Sequence, residues 1–108
     1  MVNSDFLQRC KKGVVILNGS RGGVVHTGDL LEALRSGMVS GACLDVLENE
    51  KLGTLTDHER ERFEALCALP QVVLSPHIAG WTYASKRNIA MQLVERISEL
   101  PRSWQVEI

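Results

Sequence analysis

Apolar residues in this chain fall into short unbroken runs separated by longer stretches of helical periodicity. Val14-Val15-Ile16-Leu17, Ala42-Cys43-Leu44-Asp45-Val46 and Val72-Val73-Leu74 are too short for helices. They predict strands buried on both faces, as in a parallel sheet. Between them, Leu30, Leu31 and Leu34 share one face of a helix predicted from about Thr27 to Ser36 and closed by Gly37. Thr56-Asp57-His58-Glu59 has the capping-box spacing and opens a helix to Cys67. Ile89, Leu93, Ile97 and Leu100, with Ala90 and Val94 alongside, predict a longer helix from about Thr82 to Glu99, stopped by Pro101. A short first helix, Ser4 to Lys12, is expected with Ser4 as cap, Gly13 as stop, and Lys11 and Lys12 at the negative end of its dipole. Strands alternating with helices predict an α/β fold, three parallel strands joined by right-handed crossovers.

Composition narrows the function classes. A chain of 108 residues has room for one domain with a modest core, and 44% hydrophobic with 23% charged residues is ordinary for a globular protein. The formal net charge of -1, with signs mixed along the chain, leaves no basic patch for nucleic acid or an anionic membrane. No apolar run approaches the ~20 residues of a membrane span. The N-terminus lacks the basic-then-apolar shape of a secretory signal. Cys10, Cys43 and Cys67 are far apart and odd in number, so they read as small buried hydrophobes in a reducing compartment, with cytoplasm the expected location. No histidine or cysteine spacing suits a metal.

In an open α/β sheet, ligands bind beyond the carboxyl ends of the strands. The residues just after each apolar run therefore matter most: Asn18, Ser20 and Arg21; then Asp45 followed by Glu48 and Glu50; then Ser75, Pro76 and His77. A cation, carboxylates and an imidazole are expected to converge on one edge of the sheet. Asp45 interrupts a run of strand apolars, where an ionised carboxylate is costly without a partner. Taken alone, Glu48 and Glu50 read as solvated loop charges, Arg21 suits a cap or a surface ion pair as well as a ligand, and a lone histidine such as His77 is more often structural than catalytic. His26 and His58 are assigned structural places, one before a helix cap and one inside the capping box. The glycines from Gly19 to Gly28 imitate a dinucleotide-binding loop, but no G-x-G-x-x-G register fits them.

Three blocks, in order, carry a resemblance. Lys11-Lys12-Gly13-Val14-Val15-Ile16-Leu17-Asn18-Gly19-Ser20-Arg21-Gly22-Gly23-Val24-Val25 resembles the arginine block of the D-isomer-specific 2-hydroxyacid dehydrogenases. Leu30-Leu31-Glu32-Ala33-Leu34 with Gly41-Ala42-Cys43-Leu44-Asp45-Val46-Leu47-Glu48-Asn49-Glu50 is similar to their acidic block, and Pro76-His77-Ile78-Ala79-Gly80-Trp81-Thr82 to their histidine block. The resemblance implies a partial Rossmann-like domain, with residues 1–108 the C-terminal part of a nicotinamide-dinucleotide-binding domain. It implies that Arg21 grips a substrate carboxylate, that His77 is the general acid/base, and that Glu50 pairs with His77 and raises its pKa. Asp45 would hold the nicotinamide carboxamide, with Asn18, Ser20, Arg21, His77 and Gly80 as further cofactor contacts.

The implied activity is hydride transfer between NAD, or NADP, and a D-2-hydroxy acid/2-oxo acid pair. The family's dinucleotide fingerprint and substrate domain are absent, so the start at Met1 falls inside a domain and the chain reads as a truncated gene product or a cloned piece. By itself it is expected to bind the dinucleotide weakly or not at all and to be inactive. The alternative is a non-enzymatic interaction or assembly module of the same ancestry, self-associating through an open sheet edge at Val14 to Leu17.

Overall fold

The computed structural model describes residues 1–101. The chain divides into two compact units, Met1–His77 and Ile78–Ile108. The first contains α1 (Ser4–Gln8), β1 (Val14–Asn18), α2 (Thr27–Arg35), β2 (Val39–Leu44), α3 (Asp57–Cys67) and β3 (Val72–Leu74), with 3₁₀ turns at Gly22–Val24 and Leu52–Thr54. Its three strands are parallel in the order β1-β2-β3. In register, Ile16 stands opposite Ala42, and Ala42 opposite Val72. The α/β alternation predicted from the sequence is the observed architecture.

Strand order explains where the core lies. With consecutive strands adjacent, right-handed crossovers place α2 and α3 on one face of the sheet. There α2 turns in Leu30, Leu31, Ala33 and Leu34 against Ile16, Val39, Ala42 and Leu44 of the strands, and Leu7 of α1 and Leu66 of α3 complete the cluster. The helices begin where side chains satisfy their free N–H groups. Thr56 caps α3 in the expected capping box, its hydroxyl accepting from the Glu59 N–H while the Glu59 carboxylate accepts from the Thr56 N–H. The second unit contains α4 (Tyr83–Ser98), close to the predicted bounds, with the Thr82 hydroxyl capping it by accepting from the Ser85 N–H. Its Ile89, Leu93 and Ile97 are exposed, and the Lys86 ammonium stands 5.3 Å from the Trp81 ring centroid.

Several expectations are corrected. The sheet is buried on one face, not two: Val15, Leu17, Cys43 and Val73 alternate with the core residues and are exposed. Short apolar runs do not reveal that both crossovers fall on the same side. Helix α1 ends at Gln8 and is capped by the Asn3 side chain rather than by Ser4, while Gly13, at φ +83°, belongs to the turn entering β1. Strand β2 starts at Val39 and ends at Leu44, so Asp45 stands just past the strand instead of interrupting it. His26 is itself the cap of α2, not the residue before one. Cys43 and Cys67 are exposed and Cys10 is half-buried, so the thiols are not core residues. No described helix is long and apolar enough to cross a membrane.

Candidate active site

Asn18 ends β1 with its side chain buried, 5% exposed, and turned into the loop that follows. Its amide Nδ2 donates to the Arg21 carbonyl at 2.9 Å, while its Oδ1 accepts from the Ser20 N–H at 3.2 Å and the Ser20 hydroxyl at 3.0 Å. A buried amide must be satisfied, and here the loop satisfies it, so the loop has one shape. Arg21 stands at the rim of that loop, one guanidinium N–H donating to the Ser20 carbonyl at 2.7 Å. Among the described residues, no carboxylate pairs with Arg21.

The acidic loop leaves β2 beside this turn. The Asp45 N–H donates to the Asn18 carbonyl at 2.9 Å, continuing the β1–β2 ladder one step beyond the strands. The Asp45 carboxylate accepts from the Ser75 hydroxyl, which ties the ends of β2 and β3 together. Glu48, expected to be a solvated charge, accepts from the Thr27 N–H at 2.6 Å and so holds the N-terminus of α2. Glu50 reaches His77, its Oε2 2.9 Å from Nδ1 across 27 residues of sequence. His77 itself has φ +54°, a left-handed backbone that histidine adopts more readily than most residues, and such conformations cluster at functional sites. Its N–H donates to the Ser75 carbonyl, folding the loop back on the strand end.

Arg21, Glu50 and His77 line one open cleft, together with Lys51. Asn18 and Asp45 line a neighbouring hollow with Leu17, Val73 and Ser75. Ser20 joins the two through its bond to Asn18. Gly80 belongs to the second unit. The residues missed from sequence are Gly22, which lies against the Leu47 carbonyl, and Glu48 and Lys51. The capping preference of carboxylates for helix N-termini is the signal for Glu48, but only folding brings it to one 21 residues away.

Comparison with known proteins matches residues 1–79 to the family described as D-isomer specific 2-hydroxyacid dehydrogenase, NAD binding domain. A D-2-hydroxyacid dehydrogenase (NAD(+)) of Clostridioides difficile is 39% identical over 97 residues, covering 82% of this chain and 28% of that protein. The NAD-complexed D-isomer specific 2-hydroxyacid dehydrogenase of Lactobacillus delbrueckii ssp. bulgaricus superposes with a TM-score of 0.68 at 36% identity, over 95% of this chain and 34% of that one. The D-lactate dehydrogenase of Aquifex aeolicus, solved with NAD and lactic acid, gives a TM-score of 0.70 at 32% identity, over 91% of this chain and 32% of that one. The chain thus spans about a third or less of the length of these relatives. On the strand order, the three motif blocks and these matches, this chain belongs to the D-isomer specific 2-hydroxyacid dehydrogenase family, residues 1–79 corresponding to its NAD binding domain.

Proposed function

We propose that this chain carries the acid/base and carboxylate-binding groups of a D-2-hydroxyacid dehydrogenase, acting on a 2-hydroxy acid/2-oxo acid pair with NAD. The observation that carries it is the 2.9 Å contact of His77 Nδ1 with Glu50 in the cleft that Arg21 also lines. A carboxylate at Nδ1 selects the tautomer with its proton there and leaves Nε2 as the atom that exchanges a proton with substrate. When oxidation removes the substrate hydroxyl proton, Nε2 takes it and Glu50 offsets the imidazolium charge. In reduction the proton returns to the carbonyl oxygen from the same atom. Arg21 offers a planar fork that matches the substrate carboxylate and so orients the carbon to be reduced.

The hollow beside the cleft suits the nicotinamide end of the cofactor. Leu17 and Val73 are apolar side chains for a flat ring to lie against, and the Asp45 carboxylate is the acceptor an amide N–H requires. Nicotinamide, when bound there, supplies or accepts the hydride. Asn18 and Ser20 serve this end by shaping the loop between hollow and cleft. No Gly-x-Gly-x-x-Gly loop occurs in the 108 residues, so the chain by itself binds the dinucleotide weakly and is inactive. Three free thiols fit a reducing compartment such as the cytoplasm.

The test is a hybrid in which this chain replaces the matching segment of the Clostridioides difficile relative. It should oxidise NADH in the presence of pyruvate, glyoxylate or hydroxypyruvate. Arg21→Lys should cost at least tenfold in kcat/KM, and His77→Gln on the order of a hundredfold or more. A folded hybrid that tolerates either substitution removes that residue from its role.

A second reading rests on a different observation. Strand β1 is at the sheet edge with Leu17 74% and Val15 49% exposed, a surface that suits pairing with another chain. Self-association through it should appear in light scattering, and a monomer at high concentration counts against it.

A further inference from the structure

Three residues of the acidic loop are each held by a different part of the first unit. The Leu47 carbonyl lies against Gly22, the Glu48 carboxylate accepts from the Thr27 N–H, and Glu50 meets His77. The Glu48 bond differs from the others in what it joins. Thr27 is the first residue of α2, the helix reached directly from the Arg21 loop through the 3₁₀ turn at Gly22–Val24. Glu48 is two residues before Glu50. One charge-assisted bond of 2.6 Å thus links the segment that carries Arg21 to the segment that carries Glu50. The helix N-terminus, with its partial positive charge, favours a carboxylate there over other acceptors.

We infer that Glu48 is a positioning residue: by binding the N-terminus of α2 it holds the acidic loop at the register in which Glu50 meets His77 Nδ1. This rests on the reading of Glu50 and His77 as the acid/base pair, and it assigns Glu48 no contact with substrate. The bond can be cut from either side. Glu48→Ala removes the acceptor. Thr27→Pro removes the donor and keeps the carboxylate, at the first helical position, where proline is tolerated. The preceding residue already suits it, since His26 has φ -76° and ψ 113°.

The experiment measures the ring ¹⁵N shifts of His77 in the whole chain, at a pH where the imidazole is neutral, with amide spectra to show that each variant is folded. Wild type should show the Nδ1–H tautomer, and Glu50→Ala, which removes the acceptor, should lose that bias. Glu48→Ala and Thr27→Pro should both lose it with Glu50 still present, while Glu48→Gln, which keeps an oxygen acceptor, should retain it. Retention of the bias in folded Glu48→Ala and Thr27→Pro, or its loss in Glu48→Gln, overturns the role of Glu48. A wild type with no bias, unchanged by Glu50→Ala, overturns the acid/base pair instead and takes the positioning role with it.

Discussion

Gly22 and Leu47 meet backbone to backbone: a Cβ on Gly22 would stand 1.8 Å from the Leu47 carbonyl oxygen and 2.7 Å from the Glu48 nitrogen. Neither neighbour is the far end of a flexible side chain, so the arginine and acidic loops would have to separate. Gly22→Ala should therefore cost about 1–3 kcal/mol in urea unfolding and shift the amide resonances of residues 47–50. Gly23→Ala is the control, because nothing lies within 4 Å of its Cβ. It should change stability by no more than about 0.5 kcal/mol. Equal effects from the two glycines would refute the steric account.

Two carboxylates contribute to the acid limb of stability. The Ser4 N–H holds the Asp29 carboxyl below the usual carboxylate range, with help from the charges of His26 and Arg62. The Thr56 N–H and hydroxyl do the same for Glu59, assisted by Asn49. Both groups bind protons less readily folded than unfolded. Their contribution is therefore complete above the ordinary carboxylate range and is lost as pH falls through the lower folded values. Tm should be insensitive to them near neutral pH and decline in acid. The double variant Asp29→Asn, Glu59→Gln should show a shallower acid decline, and an unchanged profile would exclude these groups as its source.

The cap of α3 can be tested without touching the site. Thr56→Ala removes a hydroxyl that accepts from the Glu59 N–H, and should destabilise the chain by about 1 kcal/mol in urea. Because both halves of the box serve the same turn, a further Glu59→Ala should add less than it costs alone. Full additivity would show that the two act independently.

Thiol labelling reports on the bare sheet face. Cys43 and Cys67 are exposed, whereas Cys10 is half-buried with its Sγ near the Phe6 carbonyl at 3.5 Å. Two thiols should react rapidly with a disulfide reagent and the third more slowly, as identified by peptide mass. Protection of Cys43 that disappears on dilution would mean that the face shared with Val15, Leu17 and Val73 is covered by association.

Much of this was legible before folding. The capping box at Thr56, the apolar stripe of α2 and the three strand runs follow from local preferences that neighbouring residues either satisfy or do not. The convergence of Arg21, Glu50 and His77 was legible too, because successive parallel strands must deliver their C-terminal residues to the same edge. Other features were hidden. Nothing near Ser4 says that Asn3 wins the cap of α1, and nothing in Val-Val-Ile-Leu says that every second residue stays exposed. Glu48 looked like a loop charge because its partner, the Thr27 N–H, lies in another element.

The amino-acid order by itself determined which segments become strands and helices and which chemical groups follow the strands, since those are properties of short stretches of chain. Only the tertiary structure decided which sheet face is covered, that Glu50 and not Glu48 reaches the imidazole, and that the Arg21 loop rests on the Leu47 backbone at a glycine. The reason is that each of these depends on distances between residues in different elements of the fold. Such distances follow from how the crossovers pack, and no local pattern encodes them.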